Sequence, residues 1–118
     1  MATVVTLIQD MLFSSKVREA AKALGVAVKG TRDTAAFAAA ASAPDVVLAV
    51  VDLRLPHALE ALRALPAGLS AETVGFVEHE RVDVMEAARQ AGCQAVMAKG
   101  QFANALPKLL AAHVSRSA

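Results

Sequence analysis

The chain has 118 residues, which suits one domain spanning 1–118 and leaves no room for a second. It is 56% hydrophobic and 19% charged, so it can bury a real core, but only 3% is aromatic, with no Trp or Tyr, and no platform for stacking bases is available. Lys plus Arg at 12 against Asp plus Glu at 11 gives a net charge of +1, which argues against a nucleic-acid partner, and one cysteine excludes an internal disulfide or a Cys-rich zinc site.

The N-terminus has no basic leader, and Gln9 and Asp10 interrupt its apolar run too early for a signal peptide. No apolar stretch approaches the ~20 residues of a membrane span. A cytoplasmic protein without membrane contact is expected. Val4 to Ile8 reads as a first strand, bounded by Gln9-Asp10. A helix follows, with Phe13, Val17, Ala20, Ala21 and Leu24 on its apolar face and Gly25 as its stop. Val26 to Val28 is a brief second strand. The alanine-rich segment from Thr31 to Ser42 has strong helix propensity but only Phe37 as a large apolar residue, with Thr31 or Asp33 as its N-cap.

The run Val46 to Val51 shows no polar alternation, the pattern of a parallel strand buried on both faces. It ends on Asp52, and Pro56 is expected to open the next helix at its first position, with Leu59, Leu62 and Leu65 on the buried side. Thr73 to Val77 is a fourth strand. Val82, Met85, Ala88 and Ala91 mark a fourth helix stopped by Gly92, and Ala95 to Ala98 is a fifth strand ending at Lys99-Gly100. The last helix carries Leu106, Leu109, Leu110 and Val114, and Pro107 is expected in its first turn because a deeper proline would break it at a cost of ~3 kcal/mol. His113 and the tail Ser115-Arg116-Ser117-Ala118 are expected to fray. Cys93 reads as a small buried hydrophobe.

Strands alternating with helices through short connections specify an α/β fold: a doubly wound, five-stranded parallel sheet in the order 2-1-3-4-5 with helices on both faces. In that order Asp10, Asp52 and Lys99, at the carboxyl ends of strands one, three and five, converge on one edge, where such folds bind ligands. Two carboxylates can hold Mg²⁺, a lysine can contact a phosphoryl oxygen, and a carboxylate can accept a phosphoryl group. The structural alternatives remain open: Asp10 as the N-cap of the first helix, and Lys99 as a salt-bridge partner of Asp52. Glu78-His79-Glu80 reads as a solvated loop that caps the fourth helix, and His57 and His113 as isolated surface residues. Leu12 and Phe13 beside Met11 form an apolar group near the crevice, as core or as interface.

The residues Pro44 to Val47 leading into Asp52-Leu53-Arg54-Leu55-Pro56, and Ala91-Gly92 running through Val96-Met97-Ala98-Lys99 to Phe102, make the chain resemble the receiver domains of bacterial response regulators, the CheY-like family with a flavodoxin-like fold. The resemblance implies Asp52 as phosphoacceptor, Lys99 as the phosphoryl-contacting lysine, and Asp10 with Asp52 as Mg²⁺ ligands. Several positions depart from the pattern. Gln9 stands in place of an acid, Glu78 follows the fourth strand where a Thr or Ser is usual, Gly100 replaces a proline, the loop after Asp52 is short, and Met97 is the nearest residue to a switch aromatic. The resemblance therefore implies a stand-alone, atypical receiver or pseudo-receiver, a non-enzymatic protein-interaction module of two-component-type signalling, held in one conformation by Glu78 and Lys99. Its protein partner would dock on the face of the fourth helix, fifth strand and fifth helix, roughly residues 80–114. The alternatives are a working phosphorylation switch, in which a histidine kinase phosphorylates Asp52 with Mg²⁺, and a small-ligand binder using the same crevice.

Overall fold

A computed structural model describes residues 2–117, and of residues 115–117 it describes the backbone alone. The elements run β1 (Thr3–Leu7), α1 (Met11–Ala23), β2 (Ala27–Thr31), α2 (Thr34–Ala41), β3 (Val46–Asp52), α3 (Ala58–Arg63), β4 (Glu72–Val77), α4 (Val82–Gln90), β5 (Ala95–Ala98) and α5 (Lys99–Ser117). The strands form one parallel sheet in the order β2-β1-β3-β4-β5, as the alternation predicts.

β3 sits at the centre, and its side chains are buried on both faces, which explains its unbroken apolar run. One core lies under α2, α3 and α4 and includes Val5, Leu7, Phe37, Val51 and Leu62. The other lies under α1 and α5 and includes Val4, Val17, Val50, Phe76, Phe102 and Leu110. Alanines Ala40 and Ala41 bring α2 close to the sheet beside Phe37, so a helix with one large apolar side chain still packs. Cys93 is buried as expected, and burial pushes its thiol up to about 11, leaving it inert as a nucleophile.

The C-terminal helix differs from expectation. It begins at Lys99, so Pro107 lies well inside it rather than in its first turn and lacks the N–H that would bond the carbonyl of Ala103. Phe102, Leu106 and Leu110, all buried, flank the proline and anchor the helix on both sides of it. That burial, on the order of 2 kcal/mol per large side chain, outweighs the break. His113 does not fray. It is 6% exposed, with Nδ1 2.8 Å from the Leu109 carbonyl oxygen and Nε2 against the Glu72 carboxylate at the start of β4. The helical backbone continues through Ser117, whereas Ala118 lies outside the described residues.

Smaller shifts have local causes. β2 starts at Ala27 and runs on through Lys29-Gly30-Thr31, because parallel pairing with β1 supplies partners for those polar residues. Pro56 precedes α3 instead of opening it, since residues 53–57 form a turn and His57 is the N-cap. The buried side of α3 is Ala58, Ala61 and Leu62, with Leu59 and Leu65 only partly covered.

Candidate functional site

The carboxyl edge of the sheet carries the residues that the sequence singles out. Asp52 is the last residue of β3 and only 2% exposed. Asp10 follows β1 and caps α1: its Oδ1 accepts the backbone N–H groups of Leu12 at 2.9 Å and Phe13 at 3.2 Å. The capping alternative is therefore realised, through one carboxylate oxygen, while the other is left for a side-chain partner. Gln9 is exposed, Glu78 follows β4, and Lys99 opens α5.

The group that joins them is Arg54, to which the sequence reading gave no role. The chain turns back sharply after β3, with the Leu55 N–H bonded to the Asp52 carbonyl at 3.2 Å. Asp52 Oδ1 accepts the backbone N–H of Arg54 at 3.0 Å and its Nε at 2.8 Å, and Asp52 Oδ2 accepts Nη2 at 2.8 Å. The same Nη2 donates to Asp10 Oδ2 at 3.2 Å, and Glu78 Oε2 lies 3.8 Å from Nε. One guanidinium thus forks onto Asp52, bridges to Asp10 and faces Glu78, a planar match that a lysine cannot make. These carboxylates raise the Arg54 pKa further, and the Asp10 carboxyl sits below its ordinary value, first through the Phe13 N–H and then through Arg54 and Leu12.

Gly75 on β4 makes room for this turn. A Cβ at Gly75 would come within 2.9 Å of Leu53 Cγ, and Leu53, between Asp52 and Arg54, bonds its N–H to the Phe76 carbonyl at 2.9 Å. Beneath the guanidinium lies a stack of three rings from α1, β4 and α5. Phe13 and Phe76 have centroids 5.0 Å apart, and Phe76 and Phe102 4.7 Å apart. The Arg54 Cζ is 5.7 Å from both the Phe13 and Phe76 centroids. Its cation rests on π faces as well as on carboxylates.

Lys99 does not pair with Asp52. Its Nζ stands 5.0 Å from the Phe13 centroid, and among the described residues no carboxylate lies within ion-pair distance of it. Glu78 lies within ion-pair distance of Arg54 and, among the described residues, not of Lys99, although the two line one pocket. Glu78, His79 and Glu80 form no metal cluster among the described residues, and the N-cap of α4 is Arg81, without a side-chain cap. His57 is half-buried rather than a surface residue, and its Nε2 has no hydrogen-bond partner among the described residues. Phe13 belongs to the core, whereas Met11 and Leu12 are 82% and 66% exposed beside the site.

The four oxygens of Asp10 and Asp52 bear on whether Mg²⁺ fits. Asp52 gives both of its oxygens to Arg54, and Asp10 gives one to Arg54 and one to the helix backbone. Magnesium demands near-ideal octahedral oxygen geometry and parts with its water reluctantly. With Arg54 in place, each of these oxygens already accepts a hydrogen bond and the guanidinium offsets one of the two negative charges, so an ion would have to compete with these donors for its ligands, and the set as arranged does not fit it. The sequence carries a signal for this arrangement. An arginine two residues after a strand-ending aspartate, in a loop cut short by Pro56, is within reach of that aspartate.

A scan against protein-family models finds no match, and a search of curated proteins finds none either. Solved structures do match. A response regulator from Thermotoga maritima aligns with TM-score 0.75 at 16% identity, covering 98% of this chain and 98% of its own. A response regulator receiver protein from Burkholderia phymatum aligns with TM-score 0.74 at 20% identity, covering 98% and 96%. The receiver domain of a sensor histidine kinase from Pseudomonas aeruginosa, which holds a magnesium ion in its active-site cleft, aligns with TM-score 0.73 at 18% identity, covering 97% and 98%. The chain has the CheY-like receiver fold over nearly its whole length.

Proposed function

We propose that this chain is an atypical receiver, a protein-interaction module of two-component-type signalling that works without phosphorylation of Asp52. The reading is supported above all by Arg54, which takes up the carboxylate oxygens of Asp52 and Asp10 that phosphoryl chemistry in this fold would need. A phosphoryl group on Asp52 requires a free carboxylate oxygen as nucleophile and a cation to balance the incoming charge. Here both oxygens of the nucleophile accept hydrogen bonds from Arg54, and the cation is part of the chain. The module acts by binding rather than by catalysis, in the cytoplasm, through the face of α4, β5 and α5. Val82, 65% exposed at the start of α4, and the partly exposed β5 give that face apolar contact area.

The test is intact mass after incubation with acetyl phosphate and Mg²⁺, on the wild type, Asp52→Asn and Arg54→Ala. The wild type should remain unmodified. A phosphoryl adduct on the wild type that Asp52→Asn abolishes would overturn the reading and make the chain a phosphorylation switch served by a kinase, with Lys99 as the candidate for the phosphoryl contact. An adduct confined to Arg54→Ala would show that the arginine alone closes the site.

A further inference from the structure

The sheet has a second feature, at the edge farthest from the α4-β5-α5 face. β2 pairs only with β1, so its outer side is an unpartnered strand edge. The Ala27 N–H bonds to the Ala2 carbonyl at 3.2 Å, which directs the backbone groups of Ala27, and by alternation those of Lys29 and Thr31, toward β1. The N–H and C=O of Val28 and Gly30 therefore face outward. Exposed edges of this kind are templates for another strand, and proteins usually blunt them with proline, a bulge, a covering element or a charge, of which β2 has the charge of Lys29, a barrier to a neutral or basic strand but not to an acidic one. β2 has no proline, its register with β1 is unbroken, and its residues 27, 29 and 30 are exposed.

Both flanks of this edge are grooved and basic. On the α2 side a groove of about 780 Å³ is lined by Lys29 and Arg32 and floored by small residues, among them Ala36, Ala39 and Ala43. On the α1 side a second groove, of about 540 Å³, is lined by Arg18 and Lys22. The Arg18 guanidinium reaches over the edge itself, since a Cβ at Gly30 would lie 3.5 Å from its Nη2. Among the described residues none of these four cations has a carboxylate within ion-pair distance. The acids nearby are engaged in hydrogen bonds: Asp45, in the wall of the α2-side groove, accepts the Thr3 hydroxyl and offsets part of the Lys29 charge, and Asp33 caps α2 through the Ala36 N–H. Glu19, beside Arg18 on α1, lines neither groove.

We infer that β2 is a docking edge for an extended acidic segment of a partner protein, which adds as a sixth strand against Val28 and Gly30. Strand addition gives affinity through main-chain hydrogen bonds and specificity through alternate side chains. An incoming strand directs successive side chains to opposite faces of the sheet. Its acids then meet Lys29 and Arg32 on one side and Arg18 and Lys22 on the other. The alanine floor leaves space for the partner's side chains without displacing a large residue. The proposal concerns a surface separate from the Asp52 site and stands whether or not Asp52 is phosphorylated.

The probe is a short acetylated peptide repeating two glutamates and two valines, which puts glutamates on both faces of the strand, titrated into the full chain and followed by amide NMR and hydrogen exchange. The expected result is shifts at 27–32 and along the Ala36–Ala43 face, with exchange slowed specifically at the Val28 and Gly30 amides. The double substitution Lys29→Glu with Arg32→Glu, both on exposed positions, should weaken binding about ten-fold or more without changing the remaining spectrum. N-methylation of the peptide on its pairing edge should abolish binding at unchanged charge. Equal binding of the methylated peptide would reduce the interaction to charge alone and overturn strand addition. So would shifts confined to α4, β5 and α5, or an absence of shifts at millimolar peptide.

Discussion

Arg54 links three acids that arrive on three different strands, and removing it leaves a nearly fully buried carboxylate without its counter-charge. The Arg54→Ala substitution should destabilise the fold by roughly 3 kcal/mol, because breaking one side of a buried pair strands the other. Pairing it with Asp52→Asn should restore much of that loss, since the stranded charge is then gone. Urea denaturation followed by circular dichroism reads both. The Asp10 carboxyl gives a second handle. Its folded pKa lies below the ordinary 3.8, through the Phe13 N–H first and Arg54 next. Its stabilising contribution is therefore complete above that ordinary value and is lost as pH falls through the lower folded value. In Arg54→Ala the Asp10 carboxyl-carbon titration should move upward but stay below 3.8, because the backbone bonds to Leu12 and Phe13 remain. A midpoint unchanged from wild type would mean that the guanidinium does not act on Asp10.

At the scale of elements, strands were legible from their apolar runs, and β3 most clearly, because burial on both faces leaves no room for polar residues. Helix ends were legible where a glycine takes a positive φ, as Gly25 at 70° and Gly92 at 102° do. The start of α5 was not, because the proline rule was applied without knowing which side chains anchor the helix. Phe102 and Leu106 lie before Pro107, and both are buried, so tertiary packing overrides the local penalty. The Pro107→Ala substitution, at an exposed position, should accordingly stabilise the protein by about 1–3 kcal/mol, measured as a raised denaturation midpoint with an unchanged slope. A lower midpoint would show that α5 depends on the proline's shape. His113 was misread for the same reason. A histidine near a chain end reads as solvated unless one knows that Glu72, 41 positions away in sequence, lies against it. The site followed a similar division. Asp10, Asp52, Glu78 and Lys99 were placed at the right edge by strand alternation, but the partner that decides their chemistry makes a side-chain choice that no periodicity encodes.

For the molecule as a whole, the receiver fold is built with the α1 and α5 layer stacked through Phe13, Phe76 and Phe102 and the α2 to α4 layer packed largely with aliphatic side chains. A ligand that binds only the folded state raises stability by mass action, so a Mg²⁺ site of about millimolar affinity would add about 1.4 kcal/mol at ten times its dissociation constant. The wild type should melt at the same temperature with Mg²⁺ or with a chelator, whereas Arg54→Ala should melt higher in Mg²⁺. A Mg²⁺-dependent rise in the wild type would show that the ion displaces the guanidinium.

The cation of this site is tied to the anion it neutralises by a tether only two residues long. A diffusible ion fills its site according to its concentration outside, but a tethered group carries its own local concentration, on the order of millimolar or more for short links. Dilution does not empty such a site, and on the reading proposed above chelation leaves it filled. On the proposed reading the site is an internal fastening, set once when the chain folds, rather than a port open to the solution.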